Sequence, residues 1–271
     1  MTTPITPKRT KFLSRHVSGR RILGGLLVVL IGGLILLFGE ARWLHRTDVV
    51  VKGLQRLRIM HISDIHFKGD ARYLKKVVDS INAEQVDIVC HTGDLVEDAE
   101  YLDAALSLVG QIRHPVYAVR GNHEHWSGVD FSRIDEALRK TGGRLLVNQS
   151  VRITKDFTLA GIDSITAGNP NVEQALAGVD GTRLIVMFHE PQIVKLLPGR
   201  LFTLALAGHS HGGQVRLPFY GAPILPSHVG AYDRGLYQTA EGPLFVTTGV
   251  GTWMINVRFL CRPEIVVLHG E

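Results

Sequence analysis

The sequence predicts an α/β protein in which mixed sheets pack together with helices outside, preceded by one N-terminal transmembrane helix. Three features carry this prediction: recurring short apolar, β-branched runs, helical periodicity between the early ones, and one uninterrupted apolar stretch behind a basic leader. The stretch at 22–38 reads ILGGLLVVLIGGLILLF, 17 residues without a charge or a hydrogen-bonding side chain. As a helix rising about 1.5 Å per residue it approaches the thickness of a bilayer's hydrocarbon core. It is also longer than the apolar region of an ordinary signal peptide. A buried core helix would show a polar face and would not follow a run of cations. Residues 39–49 are expected as a connector. Strands are expected at 57–62, 86–90, 116–119, 145–153, 158–162, 184–188, 202–207, 244–247 and 265–268, several of them continuously apolar, as in strands covered on both faces. In 73–83, Leu74, Val77, Val78 and Ile81 fall on one helix face, and 103–112 and 132–140 have the same pattern. With no repeat, linker or low-complexity stretch, 50–271 is expected as one domain.

The 271 residues are 45% hydrophobic and 20% charged, which excludes a disordered or fibrous chain. Two cysteines, Cys90 and Cys261, allow at most one bridge and no four-thiolate zinc site. The formal charge of +5 is concentrated in the leader. Residues 1–21 carry six cations (Lys8, Arg9, Lys11, Arg15, Arg20, Arg21) and no acid, so the remainder sums to −1. A nucleic-acid partner is therefore not expected, and no segment implies a protein partner. The same asymmetry predicts a basic cytoplasmic N-terminus over 1–21, because Arg42 and Arg46 on the far side of the apolar run are offset by Glu40 and Asp48. The body is then carried across the membrane, with Trp43 as an interfacial anchor. Small residues at Gly39 and Ala41 permit cleavage after Ala41, and Arg20-Arg21 is similar to a twin-arginine signal, although Ile22-Leu23-Gly24 matches it poorly. A retained anchor is the first reading.

The chemistry sits where polar residues interrupt the apolar runs. Asp64 and His66 follow 57–62, Gly93-Asp94 follows 86–90, and Gly121-Asn122-His123-Glu124 follows 116–119. His189 follows 184–188, and Gly208-His209-Ser210-His211 follows 202–207. A single His after a strand is commonly a hydrogen-bonded loop residue. Five junctions that all deliver Asp, Asn or His beyond carboxyl ends point to the crevice where α/β sheets bind ligands. Carboxylates and imidazoles converging there need positive charge among them. Oxygen and nitrogen donors without a thiolate suit Mn, Fe, Zn or Co, and there are enough of them for two ions, with Asp94 as the bridge.

This ordered set, Asp-x-His, Gly-Asp, Gly-Asn-His-Glu, His and Gly-His-x-His, resembles the calcineurin-like metallophosphoesterase superfamily over 57–211. The segment from Gly208 to Pro218, with Gly249-Val-Gly-Thr252, Val257-Arg258-Phe259 and Cys261-Arg-Pro-Glu264, further resembles its bacterial membrane-attached or exported branch. Met254-Ile255-Asn256 departs from the Pro-containing stretch of that branch. The resemblance implies a four-layer α/β/β/α sandwich of two mixed sheets flanked by helices. It also implies one metal on Asp64, His66, Asp94 and His211, and a second on Asp94, Asn122, His189 and His209. His123 would stand beside the scissile phosphate as the catalytic residue, with Glu124 behind it as the carboxylate that orients it. His125 and Arg258 are further residues expected around the ligands or the substrate.

Two cations would lower the pKa of a bridging water and neutralise phosphate oxygens, so hydrolysis of a phosphodiester or pyrophosphate by a metal-bridging hydroxide is expected. The membrane position favours an amphiphilic substrate, such as a lipid-linked or UDP-diacylglucosamine-type pyrophosphate. Export of the body favours an external phosphoester or phospholipid instead, and a non-catalytic metal scaffold is the remaining class. The expected location is the bacterial inner membrane, single-pass, with the catalytic domain outside. His61, His91 and His228 are read as supporting residues rather than ligands, and Arg120 and Arg216 as ordinary surface cations.

Overall fold

The computed structural model describes residues 19–199 and 202–271; Lys8, Arg9, Lys11 and Arg15 of the basic leader lie outside the described residues. Helix α1 (Gly19–Glu40) contains the apolar run, and its Leu23, Leu26, Val28 and Ile35 side chains are exposed. Among the described residues it is the one helix long and apolar enough to be a membrane span or signal sequence.

The body begins at Leu37. Its first sheet contains β1 (His45–Val50), β2 (Arg58–Ile62), β3 (Ile88–His91), β4 (Val116–Ala118), β5 (Arg144–Leu145) and β12 (Glu264–His269), in the order β1-β12-β2-β3-β4-β5. Strands β2 to β5 are parallel, and β12 runs antiparallel to β2. The second sheet contains β6 (Gln149–Arg152), β7 (Phe157–Gly161), β8 (Arg183–Met187), β9 (Leu204–Ala207), β10 (Gly235–Gln238) and β11 (Pro243–Val246), in the order β10-β11-β9-β8-β7-β6. Its centre is parallel and both its edges are antiparallel.

Strand alternation assigns the layers. Ile59, Cys90, Leu159, Ile185, Leu206 and Val266 pack between the sheets. Met60, Val89 and Val267 face the other way, onto α2 (Ala71–Asn82), α3 (Leu102–Val109) and α5 (Phe131–Lys140). The apolar stripe Leu74, Val77, Val78 and Ile81 of α2 is buried there, and Asp70 caps the helix by accepting from Tyr73 N. On the outer face of the second sheet, Val186 and Ala205 pack with Ala175 of α6 (Val172–Leu176) and with Ile193 and Val194. The result is the expected α/β/β/α sandwich.

Two expectations need correction. The run at 145–153 is not one strand: β5 ends the first sheet and β6 begins the edge of the second. The chain changes sheets at Asn148, whose φ is 50° and whose side-chain oxygen accepts from Asp163 N and Asn171 N. An apolar run looks alike whether it stays in one sheet or crosses between two. The connector expected at 39–49 contains most of β1, an edge strand parallel to β12 with His45 opposite Glu264. Its alternation with mostly exposed side chains hid it.

Candidate metal centre

The predicted residues converge at the carboxyl ends of β2, β3, β4, β8 and β9, from both sheets. Five of them hold left-handed backbone: Asp64 (φ 53°), His66 (42°), Asp94 (58°), His209 (65°) and His211 (50°). Such conformations cost non-glycine residues about 1–2 kcal/mol each, so the surrounding structure holds these side chains in place against local preference. Small neighbours allow the approach. A Cβ on Gly121 would overlap Asp94 Oδ1, and one on Gly208 would overlap Ser63 Oγ.

Hydrogen bonds to fixed acceptors set the tautomers of His189, His209 and His66, and with them the direction of their free lone pairs. His189 Nδ1 must donate to the Thr92 carbonyl at 2.6 Å, which leaves Nε2 bare. His209 Nε2 must donate to the Ser227 carbonyl at 2.9 Å, which leaves Nδ1 bare. These two bare nitrogens lie 3.0 Å apart, and Asn122 Oδ1 is 3.1 Å from the first of them. His66 Nδ1 donates to Glu97 Oε2 at 2.9 Å, so its Nε2 faces His211 Nε2 at 3.1 Å. Asp64 Oδ1 is 3.5 Å from that same His211 nitrogen. Asp94 Oδ2 joins the two groups, 3.3 Å from His66 Nε2 and 3.2 Å from His189 Nε2. Lone pairs of Asp64, His66, Asp94, His189 and His209 thus converge in a buried space, which is repulsive unless cations sit among them. The donor set fits two divalent ions sharing Asp94, with imidazole, carboxylate and amide oxygen as ligands. In the trios Asp64–His66–His211 and Asp94–His189–His209, all candidate ligand atoms lie within 4.8 Å of one another.

The titration pattern of the metal-free cluster has the same origin. Burial disfavours the charge on His66, but the carboxylates of Asp94, Glu97 and Asp64 together outweigh it and lift this residue to about 9. Burial likewise opposes charge on His189, and the Asp94 carboxylate overcomes it and raises that pKa. Asp94 itself is buried yet held well below the usual carboxylate range by His189 and His66. His209 is lowered to about 4, by burial first and by His189 next. The buried cluster around Asp94 thus favours positive charge beside His66 and His189.

His123 leans over this cluster, its ring 4.5 Å from that of His66 and 5.2 Å from that of Trp126. Burial lowers its pKa. It lines a cavity of about 160 Å³ together with His66, Asp94, Asn122, Trp126 and Trp253. The seven expected ligands and His123 are thus all brought together.

Three supporting residues behave otherwise. Glu124 does not orient His123. It is the third residue of the short helix α4 (Asn122–Trp126), and its carboxylate accepts from the backbone N–H groups of Gly121, Asp94 and Leu95, which shapes the Asp94 loop. His125 packs on Phe131 and pairs with Asp163 at 3.3 Å, away from the cavity lining. Arg258 is fully buried and donates to the carbonyls of Thr248, Gly251 and Cys261, so it braces the 248–261 segment and does not face a substrate. Arg120 and Arg216 are held by Asp163 and Asp233. His61 bonds Thr92 Oγ1, and burial lowers it to about 3. Cys90 and Cys261 are both free.

Sequence reasoning missed Glu97, which holds His66 and lies 3.8 Å from His123 Nδ1. Only the parallel pairing that continues beyond the strands, with Phe67 N donating to Leu95 O and Glu97 N donating to Phe67 O, brings it there.

The profile of the calcineurin-like phosphoesterase family matches residues 57–213. The chain is similar to the metallophosphoesterase YkuE of Bacillus subtilis (strain 168), with 28% identity over 93% of this chain and 97% of that protein. It is also similar to the phosphodiesterase YaeI of Escherichia coli (strain K12), with 27% identity, covering 83% of this chain and 86% of that one. Similarity extends to the UDP-2,3-diacylglucosamine pyrophosphatase LpxG of Chlamydia trachomatis, with 25% identity, covering 80% and 84%. With the family profile spanning every strand-end loop that carries the cluster, the chain belongs to the calcineurin-like phosphoesterases, metal-dependent hydrolases of phosphoester bonds.

Proposed function

We propose that this protein is a binuclear metallophosphoesterase anchored by α1, hydrolysing a phosphodiester or pyrophosphate through direct attack of water. The observation that carries the reading is the pair of lone-pair sets sharing Asp94 Oδ2. One ion would be held by Asp64, His66, Asp94 and His211, and the other by Asp94, Asn122, His189 and His209. When bound, such ions lower the pKa of water and neutralise phosphate oxygens. Asp94 contributes the negative charge shared by both positions. Glu97 holds His66 with its Nε2 inward. His123, at the cavity wall, hands a proton to the departing oxygen.

The basic leader and near-neutral far flank support a cytoplasmic N-terminus with the body outside. An apolar segment on the same chain as the catalytic body supports an amphiphilic substrate, and similarity to a UDP-2,3-diacylglucosamine pyrophosphatase supports a lipid-linked pyrophosphate. The outward orientation supports a second reading, an external phosphodiester or phospholipid. The test is metal analysis of the dialysed protein alongside hydrolysis of bis-p-nitrophenyl phosphate with Mn²⁺. Two ions per chain and chelator-sensitive turnover are expected. Asp94→Asn is expected to retain one ion or fewer, and two ions retained in that variant would overturn the shared-ligand assignment.

A further inference from the structure

We infer that the apolar groove next to the metal centre receives a hydrocarbon chain of the substrate, an inference that rests on the phosphoesterase reading of the centre itself. The groove has a volume of about 390 Å³, and Val215, Pro223, Ile224, Met254 and Ile255 form its apolar walls. That volume is within the range of small-molecule sites. His211, Pro226 and Trp253 line both the groove and the catalytic cavity, so the two spaces adjoin. A chain attached to a phosphorus at the centre would pass Pro226 and Trp253 to reach the groove.

The walls are held rather than loose. The Gln214 side chain donates to the carbonyls of Trp253 and Ile255 and accepts from Trp253 N. Arg216 N donates to Phe259 O, and Phe259 N donates to Gln214 O, which ties the two segments together. Ile224, Met254 and Ile255 are nevertheless 72%, 71% and 61% exposed, an apolar surface left to water at the entrance of the site.

The test uses the full chain in lipid nanodiscs with Mn²⁺ and a series of methyl, butyl and octyl p-nitrophenyl phosphodiesters. A fully buried methylene is worth up to about fourfold in affinity, so an open groove is expected to raise kcat/KM by about tenfold or more from methyl to octyl. Ile224→Asp and Met254→Asp are each expected to reduce the octyl-to-methyl ratio by about fivefold or more. Partition of substrate into lipid would raise the ratio equally in the variants. A flat series in the parent, or an unchanged ratio in both variants, overturns the inference. A second readout does not need turnover: an octyl phosphonate brominated at the chain end is expected to quench Trp253, with the quenching lost in Trp253→Phe. Quenching retained without chelator-sensitive hydrolysis would sustain the groove and overturn the catalytic reading, and equal quenching in Trp253→Phe would overturn the groove.

Discussion

His123 and the two residues nearest to it separate catalysis from metal retention. Its ring packs on His66 and Trp126, and one of its nitrogens lies within 4.8 Å of ligand atoms of His66 and Asp94, yet each proposed ion position has four ligands without it. His123→Asn is therefore expected to keep both ions by metal analysis while lowering kcat by roughly 10²–10⁴ on esters with poor leaving groups. An unchanged kcat on such an ester would refute the assigned role. Glu97, by contrast, acts through His66. Glu97→Gln is expected to weaken metal affinity by about 10–100-fold, read by competition with a chelator. His123 was legible from its place after a strand. Glu97 was not, because the contact depends on two loops running side by side past the ends of their strands.

The short helix α4 and the loop before it show how local structure sets the centre. Gly121 leads into α4, and Glu124 inside the helix accepts from three backbone N–H groups, two of them belonging to the Asp94 loop. Gly121→Ala places a methyl group against Asp94 Oδ1 and 2.6 Å from Asp94 N. Loss of about 1–3 kcal/mol of stability is expected in denaturant titration, together with reduced metal content, since Asp94 must move. The glycines beside the ligands were readable as part of the pattern. The break at Asn148 was not, because β-branched apolar residues continue on both sides of it and only the hydrogen bonds to Asp163 and Asn171 mark the crossing.

Across the whole molecule, metal, proton and fold are linked. Without ions, His66 titrates near 9, so a proton occupies its site at neutral pH. Ion binding must expel that proton. Apparent affinity is expected to rise about tenfold per pH unit for each proton displaced, and for the His66 proton to level off above about pH 9, as measured by isothermal titration. A slope of zero between pH 6.5 and 8.5 would contradict this. The fold follows the opposite course when metal-free. His66 is raised above its unfolded value, so its contribution to stability is complete below about 6.5 and is lost as pH rises through about 9. Saturating Mn²⁺ is expected to remove that loss, read as a Tm that stays flat with pH.

The strand-end histidines and carboxylates, the helical stripe of α2, the apolar run of α1 and the near-neutral charge of the body could all be read along the chain. Each is a pattern of residue types at short spacing, which backbone periodicity converts directly into a face or an end. Tertiary structure alone decided which nitrogen of each imidazole points inward, that Glu124 serves the backbone and Arg258 a buried bend, and that a groove opens beside the centre. Those outcomes depend on contacts between segments up to 145 residues apart, such as His66 with His211, whose partners no local spacing can name.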